Sequence, residues 1–178
     1  MVTHFFTLFA LTKELDKALH NSQIHEIFTQ QKDGLYITVS TDEKEYTLSV
    51  SVDPAANHLL LRDAVSRARK NSVDLFAPVS GSRIDHIAML DFDRTVTITF
   101  IGAPYRLLIQ LYNTVKSNIF LLDGGGTIVE AFKQGKEFEG TAFPQHQQRL
   151  ERRAAPRIRA AAGTRLARRA LTALALGR

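Results

Sequence analysis

The chain has 178 residues, of which 44% are apolar and 23% charged. This is the composition of one globular domain with an appendage, and it leaves ample chain to bury a core. It contains no cysteine, which excludes disulfides, zinc–thiolate sites and a cysteine nucleophile. The net charge of +5 is unevenly spread, because Pro144 to Arg178 holds nine Arg and one Glu. A mildly acidic domain, residues 1–143, therefore precedes a strongly basic tail, residues 144–178, and each needs its own reading.

No apolar run approaches the roughly 18 residues that a membrane span needs. The opening "MVTHFFTLFALTKEL" has a short apolar patch, but no Lys or Arg precedes it and Lys13 and Glu14 interrupt it. It is a poor signal peptide, so a cytoplasmic protein is expected.

In chain order, "FTLFALTKELDKALHN" sets Leu8, Leu11, Leu15 and Leu19 at helical spacing, with Thr7 as candidate N-cap. Two strand-like runs follow, "QIHEIFTQ" and "GLYITVST", separated by the turn "QKDG". "EYTLSVSV" puts Tyr46, Leu48, Val50 and Val52 on one face, and "NHLLLR" follows the Asp53-Pro54 turn. The stretch "DAVSRARKNSVDLFAPVSGSR" breaks this character and predicts a long loop with a short helix, lying across a sheet. Five more strands are predicted in "RIDHIAMLDF", "RTVTITFIG", "YRLLIQLYN", "SNIFLLD" and "TIVEAFKQ". In the second of them Val96, Ile98 and Phe100 face one way and Thr95, Thr97 and Thr99 the other. Helix, four strands, insertion and five strands imply an α+β fold, mainly antiparallel, built as a two-sheet β-sandwich. The tail reads as two short helices broken at Gly163, the second with Leu166, Ala170, Ala173 and Leu174 on one side.

Six histidines are present, but none pair at helical i, i+4 spacing or sit with carboxylates at zinc-site spacing, so no metal is predicted. Gly124, Gly125 and Gly126 lack a following helix and a Gly-Lys-Ser/Thr ending, which makes them a hairpin turn rather than a phosphate loop. No G-x-S-x-G elbow occurs. These patterns argue for no enzyme, cofactor or small-molecule substrate.

Basic residues carry more information. Arg67, Arg69 and Lys70 lie within four positions of the insertion and suit either a solvated turn or contacts with a polyanion. In the tail, Gly163, Ala167, Ala170 and Leu171 of "GTRLARRAL" resemble the second half of a helix-hairpin-helix element. An amphipathic helix explains the same residues. The neighbours Asp93 and Arg94 open an otherwise structural strand. They form a surface pair or turn anchor, or they offer a donor fork for phosphate and base edges with Asp orienting it.

Four separated stretches then agree with one family. "FTLFALTKELDKALHNSQIHEIFTQQKDGLYITV", "RARKNSVDLF", "FDRTVTITF" and "LIQLYNTVKSNIFLLDGGGTIVEAF" resemble, in order, the N-terminal domain of NFACT proteins, also called fibronectin-binding-A-like. The resemblance covers about residues 4–143. It implies a fold similar to the N-terminal β-sandwich of formamidopyrimidine-DNA glycosylases. It also implies a non-catalytic role in ribosome-associated quality control, with tRNA and a stalled large ribosomal subunit as partners. The family's tRNA-contacting D-R pair falls on Asp93 and Arg94. The first helix departs from relatives at Thr7 and Phe9, which carry neither an acid nor an arginine there. Glycosylase chemistry is not implied, because the chain begins Met1-Val2-Thr3 rather than with Pro and Glu. The alternatives are a protein-interaction module, such as an adhesin or scaffold, and a DNA-binding relative of the glycosylase fold. The basic tail is expected to bind nucleic acid nonspecifically.

Overall fold

The structure, a computed structural model, describes residues 4–90 and 93–144. The helices expected in the tail lie outside the described residues. Helix α1 spans Phe5–Leu19 and buries Leu8, Thr12, Leu15 and Leu19. Its N-cap is His4, not Thr7, which lies exposed in the first turn. Phe5 packs against the core and the Leu8 amide bonds the His4 carbonyl, so the helix begins earlier than its hydroxyl signal.

Ten strands follow in two antiparallel sheets. One holds β1 (Gln23–Gln31), β2 (Gly34–Ser40), β3 (Glu45–Ser51), β4 (His58–Asp63) and the short β5 (Val73–Asp74), in the order β4-β3-β2-β1-β5. The other holds β6 (Ile84–Met89), β7 (Thr95–Phe100), β8 (Arg106–Gln110), β9 (Asn118–Leu122) and β10 (Ile128–Ala131), in the order β10-β9-β8-β7-β6. Each strand follows its chain neighbour, apart from β5, which returns to pair with β1. The sequence-predicted sandwich is therefore the observed fold, with an unpredicted four-residue helix α2 (Gly135–Phe138) after β10.

Alternation decides which side chains meet. Leu35, Ile37 and Val39 of β2 and Leu48 and Val50 of β3 face Val96 and Ile98 of β7 and Leu107 and Ile109 of β8. Leu8, Leu15 and Leu19 join the same cluster, so α1 and both sheets share one core. Strands β8 and β9 are buried on both faces, because Leu108, Phe120 and Leu122 pack with Phe138 and Phe143 in a second, smaller cluster. That explains why "RLLIQ" and "NIFLL" read as continuous rather than alternating apolar runs.

The insertion crosses the outer face of the first sheet, as its composition predicts. Val65 N–H donates to Thr47 Oγ1 at 3.1 Å and Ala68 N–H to Gln30 Oε1 at 2.8 Å. The insertion then turns inward at Phe76, fully buried with φ of 55°, and closes in a 3₁₀ turn at Ala77–Val79. The Phe76 amide donates to Glu130 Oε2 of β10 at 2.8 Å, tying the insertion to the second sheet. Asp123 organises the glycine turn, its Oδ1 accepting the amides of Gly125 and Thr127 while Gly126 takes φ of 85°.

Burial raises the Glu130 carboxyl above its ordinary 4.5, with a smaller push from Glu139 and an opposing pull from the Phe76 amide. A carboxyl raised on folding contributes stability that is present below its ordinary value and is lost as pH rises through the folded value. Glu130→Gln keeps an acceptor for Phe76 without the charge. Urea denaturation across this window is expected to show wild-type stability falling above pH 4.5, and that component absent in the variant.

Candidate nucleic-acid interface

The turn from β6 to β7 is closed by Leu90 N–H on the Thr95 carbonyl (2.9 Å) and Asp93 N–H on the Leu90 carbonyl (3.2 Å). Asp93 and Arg94 sit in this turn, both half-buried. Their side chains are held by two consecutive residues just after β8. Tyr112 Oη donates to Asp93 Oδ2 at 2.9 Å, and Arg94 donates an Nη1 hydrogen to Asn113 Oδ1 at 3.1 Å. Leu111 N–H reaches the Arg94 carbonyl at 2.9 Å, so main chain and side chain are fixed from the same neighbour.

These anchors are themselves braced. Tyr112 Oη lies 3.1 Å from Thr95 Oγ1 and accepts from Gln110 Nε2 at 3.3 Å. The Tyr112 carbonyl accepts from Asn57 Nδ2 at 2.7 Å and from the Ser117 hydroxyl. Asn57, buried in the loop between β3 and β4, also donates to Asn113 Oδ1 at 3.0 Å. Because a carbonyl can only accept, the Tyr112 oxygen fixes which end of the Asn57 amide is nitrogen. That nitrogen in turn fixes Asn113 with its oxygen toward Arg94. A polarity relay thus runs from the first sheet to the guanidinium through Asn57 and Asn113.

Chemically, Asn113 is a neutral partner that orients a planar cation, and Tyr112 orients a carboxylate. Arg94 is thus an oriented donor fork and Asp93 an oriented acceptor, group types whose chemistry suits phosphate oxygens and base-edge amines. Asn118, next to Ser117, locks the far side of this loop. Its Oδ1 accepts the Lys133 amide and its Nδ2 donates to the Lys133 carbonyl. Sequence reading missed Asn57, Tyr112 and Asn113 as site residues. The motif carrying Ser117 and Asn118 was the nearest signal, and it marks the loop that supplies two of the three.

The insertion cations are placed on the other sheet and play unequal parts. Arg67 Nη1 is 2.6 Å from Asp74 and 3.5 Å from Glu26, its Nε donates to Ser72, and its guanidinium lies 5.0 Å from the centre of the Phe28 ring. Asp74 foremost, then Glu26, hold Arg67 above its ordinary pKa, against the opposing effect of burial. Arg67 is thus a strut that pins the insertion over the buried Phe28. Arg69 and Lys70 are exposed and make no ion pair among the described residues. The structure does not bring this cluster together with Asp93 and Arg94. Among the described residues no group of three or more His, Asp or Glu is arranged to hold a metal, and no helix is long and apolar enough to cross a membrane.

A helix-fronted sandwich of two five-stranded antiparallel sheets, with a braced Asp-Arg turn at one end, defines the class. The family model described as NFACT N-terminal and middle domains matches residues 4–139, and the chain belongs to that family. Three solved structures share its fold. The N-terminal domain of fibronectin-binding protein PavA from Streptococcus pneumoniae is 20% identical with a TM-score of 0.68, over 78% of this chain and 60% of that one. A fibrinogen binding protein from Staphylococcus aureus is 20% identical with a TM-score of 0.60, over 77% and 55%. The N-terminal part of the fibronectin/fibrinogen-binding protein from Streptococcus suis is 20% identical with a TM-score of 0.62, over 78% and 55%. The chain therefore spans 55–60% of the length of these structures. No curated protein matches it.

Proposed function

We propose that this chain is a non-catalytic, cytoplasmic tRNA- and ribosome-binding module that engages stalled large ribosomal subunits carrying peptidyl-tRNA. The observation that carries the reading is the Asp93–Arg94 turn, half-exposed yet braced through Tyr112 and Asn113 by residues of both sheets. The bracing orients both charged groups while leaving them partly exposed, which supports a role in contacting a ligand. Arg94 would contact an RNA phosphate or base edge, and Asp93 would accept from a base amine. Arg69 and Lys70 would add phosphate contacts elsewhere on the surface, whereas Arg67 acts structurally.

Co-sedimentation with purified large subunits tests this reading. The expected result is retention on subunits carrying peptidyl-tRNA, weaker retention on empty subunits, and loss of the difference in Arg94→Ala. Equal retention on both kinds of subunit would contradict it.

A further inference from the structure

The outer face of the first sheet carries a cleft that the Asp93–Arg94 turn does not use. Leu35 and Ile37 of β2, Leu48 and Val50 of β3, and Leu59 and Leu61 of β4 face the core, so the residues between them face outward. Strand register sets the outward residues in rows. Phe28, Tyr36, Ser49 and Leu60 form the middle row, with Gly34, Ser51 and His58 on one side and Thr38, Thr47 and Arg62 on the other. Lys32, Tyr36, Ser49, Ser51, His58 and Arg62 line a cleft of about 370 Å³, within the size range of small-molecule sites.

The middle row supplies an aromatic wall. Tyr36 stacks on Phe28, with 5.4 Å between ring centres and 20° between planes, and Arg67 lies over the same Phe28 ring. The next place in the row belongs to Ser49, whose side chain is too small to continue the stack. Neighbouring strands are roughly 4.8 Å apart, so a planar ring set over Ser49 would stand one stacking distance from Tyr36.

The cations around this gap are uncommitted. Lys32 and Arg62 are exposed and make no hydrogen bond or ion pair among the described residues. The acids at the rim are engaged: Asp33 pairs with Lys133 at 2.6 Å, and Asp53 Oδ1 accepts the Ala55 amide at 2.9 Å. His58 Nδ1 lies 3.0 Å from the Ala56 carbonyl, which can only accept, so Nδ1 carries the hydrogen. Nε2 of the neutral ring is then an acceptor, which suits a sugar hydroxyl. Across the rows the order is thus Lys32 in the β1–β2 turn, His58, the Tyr36–Ser49 gap, and Arg62. A phosphate, a sugar, a stacked base and the base's far edge need donors and acceptors in that order. An arginine fork at the far edge fits O6 and N7 of guanine, whereas adenine presents an amine there.

We propose that this cleft binds a guanine mononucleotide. Its base stacks on Tyr36 over Ser49, its phosphate meets Lys32, its sugar meets His58, and Arg62 reads the guanine edge. Neither the site nor its test involves Asp93 or Arg94, so its failure leaves the reading given above standing.

The test is calorimetry of the full chain with guanosine 5′-monophosphate, its adenine counterpart and guanosine. The guanine nucleotide is expected to bind saturably and about tenfold tighter than the adenine one, the discrimination expected of one bidentate contact. Arg62→Ala should abolish that preference, and Lys32→Ala should abolish the advantage of the nucleotide over guanosine. Both residues are exposed, so these changes leave the fold intact. The basic tail is common to all variants, and only the differences between them count. Because the chain has no tryptophan, Tyr36→Trp also places a sole fluorophore in the cleft, which the guanine nucleotide should quench. Equal affinity for the two nucleotides in the wild type would overturn the proposal, as would preferences unchanged in Arg62→Ala and Lys32→Ala. Binding without quenching in a folded Tyr36→Trp chain would place the nucleotide on the tail and overturn it too. Displacement of the nucleotide by single-stranded RNA at equal base concentration would make the cleft part of an RNA surface, which also contradicts it.

Discussion

Asn57→Asp is expected to destabilise the domain by about 3 kcal/mol and to weaken RNA binding at Arg94. Asn57 is 2% exposed and donates both amide hydrogens, one to the Tyr112 carbonyl and one to Asn113 Oδ1. A carboxylate at this position presents oxygen to two oxygens, and a buried charge without a donor costs several times a lost hydrogen bond. The local remedy is rotation of the Asn113 amide, so that its nitrogen faces the new carboxylate. That rotation turns an NH₂ group toward Arg94 and breaks the bond that orients it. Asn57→Ala, which removes the donors without adding charge, should cost about 2 kcal/mol by the same accounting. The aspartate is also pH-sensitive in a defined direction. Burial raises its pKa, so the destabilisation shrinks as pH falls and the protonated acid recovers one donor. Urea denaturation of the two variants from pH 7 to pH 4 checks this, and a pH-independent difference would contradict it.

Leu121→Ala should cost more in stability and nothing in specificity. Leu121 is fully buried in β9, inside the cluster shared by α1 and both sheets. Removal of a leucine from such a site costs about 2–5 kcal/mol, with the upper part of that range where the surroundings cannot collapse. Neighbouring strands pair on both sides of β9, so about 4 kcal/mol is expected. Below the unfolding transition the folded fraction should bind RNA as the wild type does. The pair of variants thus separates loss of fold from loss of orientation.

Much of the fold was legible because its signals are local. The leucines of α1 and the alternation of Val96, Ile98 and Phe100 each define a buried face within one element. The insertion was legible as a break in character that lies over a sheet. What could not be read depends on contacts distant in sequence. Asn57 meets Tyr112 across 55 positions and Arg67 meets Glu26 across 41, and neither residue type nor spacing signals either contact. That is why Arg67 read as one of three equivalent cations when it is a strut over Phe28. The start of α1 was misplaced for a related reason. Packing of Phe5 on the core outweighs the capping preference of Thr7, which is a local effect of only about 1 kcal/mol. Asp93 and Arg94 stood out only as an unexplained pair. Their bracing by Tyr112 and Asn113 appears when β7 and β8 are set side by side.

The most direct test of the central claim is tRNA affinity of the wild type and Arg94→Ala at two salt concentrations. The account predicts tight wild-type binding that weakens steeply with salt, and weaker binding by the variant with a shallower salt dependence. Equal affinity and equal slope in both proteins would make Asp93 and Arg94 a structural turn, and the nucleic-acid reading of this surface would be wrong.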